Sequence, residues 1–536
     1  MQRMGVFHRY GAALSVCLRC AVWLPVADAV HAQTTPAADA ATPRFDVLEY
    51  RVEGNSVLPA ESIERAVYPF LGERRTVADV ESARVALEAA YRNAGYGTVV
   101  VDTPEQRITD GVVTLQVLQA PVSRLRVVGA QYYSQGRILD KVPALAEGEV
   151  PNFKVVTAQL ATVNTSADRR VTPLLRPGKT PGTTEVDLTV EDRLPLHGSL
   201  ELNNSHSPNT TASRLQASLR YDNLWQREHS ISAQVQVSPE NTSEVKVFSG
   251  SYTVPTGSGL VVLSYTRSNS NTSVGVGGTT IFGKGSIYSL RSVFLLDGND
   301  KLSHSITLGA DYKDFDELTS TGPSAGFSTP IHYLPLSASY AATLFDQGGY
   351  WQTGGGLTFA VRGLASRQAQ FNDKRFQSKT NFAVLKANLA RTQNLPHDFT
   401  LYATVEGQLS DQALISNEQF VAGGVDSVRG YLDATAVGDK ALRASIELRT
   451  GNLAPEQSAW WSSLTAHTFF DGAVLRIKDA LPGQDAGDTL ASVGFGLRLQ
   501  TQQYARFSFD LAWPLRDARQ TSKGSPRLHA SGVIEF

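Results

Sequence analysis

Cysteine and methionine are almost missing from this 536-residue chain: there are two of each, and all four stand within the first 20 residues, at Met1, Met4, Cys17 and Cys20. Beyond that point a disulfide framework or a cysteine-ligated metal site is excluded. Long hydrophobic runs are lacking as well. No window approaches ~18 uninterrupted apolar residues, the length a membrane-crossing helix needs. Neither sign of charge dominates, since 49 Lys+Arg stand against 51 Asp+Glu for a formal net charge of −2. No block of Lys and Arg supplies the electrostatic footprint of a nucleic-acid binder, so no nucleic-acid partner is expected. The His residues show no metal-ligand spacing, and neither a metal nor a cofactor is expected. The 44 Gly and 42% hydrophobic residues that remain argue against collagen, a coiled coil or a disordered chain. At ~150 residues per domain the length suggests two to four domains.

The first 32 residues read as a secretory signal peptide. Arg3, His8 and Arg9 precede an apolar stretch from Gly11 to Val26, and Val30-His31-Ala32 puts small residues at the −3 and −1 positions. Ala27-Asp28-Ala29 offers a second cleavage site. The Cys17-x-x-Cys20 pair lies inside this leader and loses any redox or metal reading there. Residues 33–44 form an Ala/Thr/Pro linker.

Two similar segments follow, 45–119 and 120–196. In the first, Phe45 to Val52 reads as a strand, and Thr76-Val77-Ala78-Asp79 as a helix start. Val80, Ala83, Leu87, Ala90 and Tyr91 then recur at helical spacing until Gly95 supplies a stop. Thr98 to Val101 and Val112 to Leu118 alternate as strands. The order recurs: Arg51-Val52-Glu53-Gly54 corresponds to Val127-Val128-Gly129, and Val113-Thr114-Leu115-Gln116-Val117 to Val186-Asp187-Leu188-Thr189-Val190, both at offsets of about 75 residues. Two tandem α+β modules of one fold are the economical reading.

From 197 to 536 helical periodicity gives way to alternating segments. Leu442, Ala444, Ile446 and Leu448 are interleaved with Arg443, Ser445, Glu447 and Arg449. Val493, Phe495, Leu497 and Leu499 alternate with Ser492, Gly494, Gly496 and Arg498. A soluble sandwich alternates in the same way. Three features favour a transmembrane β-barrel of 16 antiparallel strands, with its apolar face in lipid and its polar face on a wet lumen. The segment count is even, at about 21 residues per strand and connection. Connections are short after even-numbered segments, as at Pro255-Thr256-Gly257, and long after odd-numbered ones from the fifth onward. The last segment, Leu528, Ala530, Gly532, Ile534 and Phe536, closes on an aromatic residue, which is read as a C-terminal assembly signal.

Two enzyme-like matches fail on context. Gly322-Pro323-Ser324-Ala325-Gly326 fits G-x-S-x-G but sits in a polar loop without the strand and helix a nucleophile elbow requires. Gly278 to Lys284 resembles a Walker A loop, but Gly285 stands where Ser or Thr should be. No catalytic residue is assigned, and an enzyme is not expected.

The informative motif is Gly423-Gly424-Val425-Asp426-Ser427-Val428-Arg429-Gly430-Tyr431, in the longest connection between strands. Here the chain resembles the two-partner secretion transporters (TpsB, the hemolysin secretion/activation proteins) of the superfamily that joins POTRA modules to a barrel. In that family a V-R-G-[YF] motif tips a loop folded back into the lumen, and Val428, Arg429, Gly430 and Tyr431 match all four positions. The partner F-x-D motif of the barrel wall is matched by Phe469 and Asp471 around Phe470. Alternation agrees, placing Thr465, His467, Phe469 and Asp471 on the lumen face. Val171 to Gly178 with Gly182 to Leu188 looks like the end of the family's second POTRA domain.

The resemblance implies two periplasmic POTRA domains, at 45–119 and 120–196, before an outer-membrane barrel. It also implies export of an unfolded TpsA-like exoprotein, with outer-membrane lipid and the barrel-assembly machinery as further partners and with energy drawn from folding of the exported chain outside. Many members carry a pore-plugging N-terminal helix; here only about a dozen residues separate the leader from Phe45, and Pro36 and Pro43 interrupt them. A barrel-assembly factor of the same superfamily is the alternative reading, followed distantly by an outer-membrane enzyme.

Overall fold

The computed structural model describes residues 43–270, 273–276, 279–316, 318–319, 327–364, 367–502 and 504–536. The leader, the linker up to residue 42 and the Gly322–Gly326 match lie outside the described residues. The Walker-like segment runs into a hairpin of Ser273–Val276 with Thr279–Phe282, with no helix to follow it.

The first compact unit ends at Ala120. Its long helix, Val77–Ala94, is set by local chemistry at both ends. Thr76 and Asp79 form a capping box, the Asp79 carboxylate accepting from the Thr76 backbone N–H at 2.8 Å, and this bond holds the carboxyl below its usual range. Gly95 ends the helix at φ +106°, where a side chain would be strained. Val80, Ala83, Leu87 and Tyr91 form the buried stripe. It packs beside a sheet in which Val112–Leu118 lies between Glu49–Glu53, parallel to it, and Val100–Asp102, antiparallel. The opening strand expected over 45–52 is split. Phe45–Val47 pairs with Gly72–Arg75, and the chain then turns because the N–H groups of Leu48 and Glu49 both donate to the Gly111 carbonyl.

The second unit opens with a module of the same plan. Val122–Val128 runs parallel to Thr184–Asp192, which pairs antiparallel with Arg169–Pro177, and helices Gln135–Asp140 and Phe153–Val163 accompany them. Ile138, Val142, Leu145, Val163, Val186 and Leu188 are fully buried in its core. One backbone detail is common to both modules: Gly54 (φ +81°) and Gly129 (φ +92°) each follow the first parallel strand, and at each a Cβ would stand 2.5 Å from a carbonyl oxygen of the neighbouring strand, Val117 and Val190 respectively.

A closed barrel of 16 antiparallel strands follows, from Leu196–Asn203 to Arg527–Glu535, the eighth interrupted between Ile331–Tyr333 and Pro335–Asp346. Closure leaves no edge with unpaired backbone groups in lipid. Leu442, Ile446, Phe470, Val474, Phe495 and Leu497 point outward and are exposed. Tyr265, Tyr288 and Tyr312 sit in neighbouring strands in one outward-facing row, ring centroids 4.9 and 6.3 Å apart. The seam between first and last strands has a short register, Ser531↔Asn203 to Glu535↔Ser199. Flanking groups lengthen it: Gly198 and Phe536 exchange both backbone hydrogen bonds at 3.0 Å, and the Asn204 amide bonds Leu528 and Ala530.

The lumen is not polar throughout. At the mouth where the long connections gather, Val247, Ile287, Phe315, Tyr333, Val384 and Leu414 are buried in one apolar cluster. Five of these share the inward face of their strands with polar neighbours. They are dry because the helix Gln368–Lys374 in the connection after the ninth strand inserts Phe371 among them, its ring 5.7 Å from that of Tyr333. Just behind this helix, Arg375 donates to both carboxylate oxygens of the fully buried Asp439, at 2.6 and 2.7 Å. Asp439 also accepts from the backbone of Leu414 and Lys478 and from the Gln419 amide. One carboxylate thereby ties together three outer connections.

Two outcomes are expected. Deleting Phe536 removes one exchanged pair at the shortest register and should lower the amount of heat-modifiable barrel in outer membranes; unchanged levels would make the terminal aromatic incidental. Arg375→Ala removes the charged partner of the buried Asp439 carboxylate and leaves it only the neutral donors of Leu414, Gln419 and Lys478, at a cost of up to about 3–5 kcal/mol, which favours release of the outer connections over loss of the barrel. Protease added to intact cells should then cut within residues 361–382, with the heat-modifiable band retained. Resistance equal to the parent would show that the pair does not hold the cap.

Candidate functional site: a loop held inside the barrel

The connection 411–439 enters the lumen as a short hairpin, Phe420–Ala422 paired with Ala436–Gly438. Its tip turns at Gly423 and Gly424, both at positive φ. Val428 and Tyr431 are fully buried, and the Tyr431 hydroxyl lies 3.0 and 2.9 Å from the carbonyls of Ala491 and Arg516. Gly430, at φ +88°, brings its N–H to within 2.9 Å of His529 Nε2. Cavities of about 500 and 540 Å³ flank the loop, so its tip lies between two polar halves of the lumen.

Arg429 is the centre of the contacts. Its Nε and Nη2 donate to the two oxygens of Asp471 at 2.8 and 2.9 Å, and its backbone N–H donates to the same carboxylate at 3.1 Å. Its Nη1 donates to Glu447 at 2.8 Å and stands 3.5 Å from Asp510. The guanidinium plane lies over the Phe469 ring, Cζ 3.3 Å from the centroid. The planar fork makes this possible, because two donors serve one carboxylate while the face remains free to stack.

The barrel wall is shaped to receive this residue. Strand register sets Glu447, Phe469, Gly494 and Ala512 in one inward row across four strands, and Arg449, His467, Gly496, Asp510 and His529 in the next. A Cβ at Gly494 would collide with Phe469, and one at Gly496 with Asp510 and His467. The two glycines therefore admit the ring and the His467–Asp510 hydrogen bond of 2.5 Å. Arg449 and Arg498 hold the second oxygen of Glu447 at 2.6 and 2.9 Å.

The sequence motifs marked Val428, Arg429, Gly430, Tyr431, Phe469 and Asp471, and the fold brings all six together, whereas Phe536 lies at the barrel seam. Sequence reasoning did not single out Glu447, Asp510, His529 or the two glycines. Their signal was their place on inward-facing positions; choosing among such positions requires the stagger between strands. Among the described residues, Asp168, His197 and Asp222 have ligand atoms within 4.8 Å of one another, the kind of grouping a cation uses. Arg193, 2.7 Å from Asp168, and Arg220, 3.0 Å from Asp222, already supply the positive charge there.

A sequence profile described as haemolysin secretion/activation protein ShlB/FhaC/HecB matches residues 182–499. The chain belongs to this family. A second profile, POTRA domain of ShlB type, matches residues 45–120. The barrel thus spans the outer membrane, with POTRA modules in the periplasm. Among known proteins, the outer membrane transporter CdiB of Dickeya dadantii (strain 3937) is 23% identical over 419 residues, 74% of this chain and 71% of that protein. CdiB of Escherichia coli O6:K15:H31 (strain 536 / UPEC) is 26% identical over 181 residues, 34% of this chain, and the match spans only 30% of that relative's length. In solved structures the fold is shared with CdiB from Escherichia coli (TM-score 0.64, 20% identity, covering 94% of this chain and 93% of that one). It is shared as well with BamA from Haemophilus ducreyi lacking POTRA domains 1–3 (TM-score 0.56, 12% identity, covering 92% and 100%).

The contact of Arg429 with Asp471 and Glu447 is expected to be worth more than its area. Arg429→Ala should make the loop 411–439 accessible to protease in detergent-solubilised protein, and Arg429→Lys should do so partly, since a point charge cannot serve both carboxylates with the same geometry. Loop protection unchanged in both variants would mean that Tyr431 and the apolar contacts suffice.

Proposed function

We propose that this member of the haemolysin secretion/activation family takes up an unfolded, TpsA-like exoprotein from the periplasm through its POTRA modules and exports it through the barrel pore. The observation that carries the reading is the loop in the lumen, whose one buried guanidinium joins carboxylates of the wall beside an apolar cluster of Val428 and Tyr431 with Ala473, Leu475 and Leu490. The guanidinium contact is strong when whole and lost at a single point, which suits a plug that has to yield to a passing chain. The periplasmic modules fit uptake. Glu49–Glu53 and Val122–Val128 are edge strands, each paired on one side only within its sheet. An extended chain added to such an edge is bound through its backbone, with little demand on sequence. No nucleotide-binding loop accompanies the barrel among the described residues, and folding of the cargo outside would draw the chain onward.

The barrel-assembly alternative shares the fold. It predicts that loss of function lowers other outer-membrane barrels, whereas export predicts that only the partner is lost.

Deletion of residues 45–119 should abolish partner export and leave the barrel in the membrane, because each module has its own core. Continued export at the parental rate would remove the docking role. Arg429→Ala and Asp471→Ala should each reduce secretion strongly while much of the barrel remains, and the double variant should be no worse than either single one, since a shared contact can be lost only once. Additive losses would show that the two residues do not act through each other.

A further inference from the structure

We propose that the connection between the second and third barrel strands, residues 225–228, is a clamp that fixes the second POTRA module at one orientation on the barrel, with Glu228 as its principal positioning residue. The inference rests on the transport reading, in which a rigid module delivers the cargo to the pore.

The backbone of this turn is costly. Asn223, Trp225, Gln226 and Glu228 all have positive φ, between +56° and +64°, and none is glycine. A tight hairpin can be closed far more cheaply with Asn-Gly or Gly-Gly. Unfavourable backbone of this kind persists where the surroundings over-determine it. Here the surroundings belong to the POTRA module. Asn223 and Gln226 donate their amide N–H groups to the Tyr132 carbonyl at 3.4 and 3.0 Å, and the Gln226 side-chain oxygen accepts from the Ser134 N–H at 2.8 Å. Glu228 reaches further in. One carboxylate oxygen takes Lys141 Nζ at 2.5 Å and the other takes Arg169 Nη2 at 2.8 Å.

Arg169 makes the hold stiff. Its side chain is almost wholly buried, it donates to the Val163 carbonyl, and its guanidinium lies 4.6 Å over the Tyr133 ring. Glu228 therefore bonds to a group already fixed in the module rather than to a mobile surface cation. Burial raises the carboxyl's proton affinity, but the bonds from Lys141 and Arg169 outweigh it and hold Glu228 below the usual carboxylate range, so Glu228 is a carboxylate at neutral pH.

A single point of attachment would leave a swivel. The residue before Arg169 supplies a second: Asp168, buried, takes Arg193 Nε at 2.7 Å and His197 Nε2 at 2.8 Å, gripping the chain where it enters the first barrel strand. Consecutive residues of the module thus hold two different parts of the barrel, and the Tyr132–Ser134 segment holds the turn from another side. Rotation about any one contact breaks the others.

The test uses spin labels on the module and on the barrel of the full-length protein, with partner secretion measured in parallel. Glu228→Ala should broaden the label-to-label distance distribution and lower secretion several-fold at unchanged heat-modifiable barrel, with Glu228→Gln intermediate. If Glu228→Ala does not assemble, Gln226→Ala serves for the same two readouts. A Lys141→Cys/Glu228→Cys pair should behave like Glu228→Ala until it is bridged with a short bis-maleimide, which should restore secretion. A distribution as narrow as the parent's in Glu228→Ala, or bridging that abolishes secretion, would overturn the clamp. The distance measurement needs no cargo. A parent protein that secretes no partner would sink the transport reading, and the distances alone would then decide whether the clamp exists.

Discussion

The interior of the barrel is organised around one positive charge brought in from outside the wall. Asp471, Glu447 and Asp510 point inward from three strands and are almost wholly buried, an arrangement that is untenable for three carboxylates on their own. Arg429 contacts all three, Arg449 and Arg498 share Glu447, and His467 bonds Asp510. Without Arg429, the fully buried Asp471 retains the Ser445 hydroxyl at 2.6 Å as its side-chain donor. The wall and the loop therefore complete each other. The barrel strands can close by backbone pairing alone, but the Asp471 and Glu447 carboxylates they enclose gain the Arg429 donors only with the loop inside.

A second arginine solves a related problem at the mouth. Arg375 and Asp439 also form a buried, two-point pair, but Asp439 collects backbone and side-chain donors from the bases of separate connections, whereas Asp471 sits in the middle of a strand. The first pair binds connections to one another over an apolar cluster, and the second binds a loop to the wall in a polar lumen. The two devices are chemically alike and mechanically distinct. The two pairs share no side chain, yet both hold the connection 411–439, one at its base and one at its tip.

Much of this was legible in the sequence, for reasons that can be traced to particular residues. Alternation with period two gave the facing of the strand that carries Phe469 and Asp471, and a loop motif supplied the arginine. The helix over 77–94 announced itself through Thr76, Asp79 and Gly95, whose effects are local. What remained hidden depends on contacts between distant segments. Glu447 and Asp510 are inward-facing polar residues like many others, and only the strand stagger singles them out. The same limit explains the apolar mouth: Val247, Ile287 and Val384 follow the inward phase, but nothing local says that a helix from 368–374 will cover them. Arg375 carries no motif at all.

The turn at 225–228 shows the same limit at a junction. Read locally, Trp-Gln-Arg-Glu is a poor hairpin sequence, without the Gly or Asn-Gly that a two-strand turn favours. Read with Tyr132, Ser134, Lys141 and Arg169 in place, its residues are chosen for reach rather than for backbone ease: Gln226 bonds main chain in two directions and Glu228 spans two cations. A local misfit in the sequence was thus the trace of a tertiary contact. At this turn the sequence departs from the cheapest hairpin where contacts with another part of the chain repay the difference.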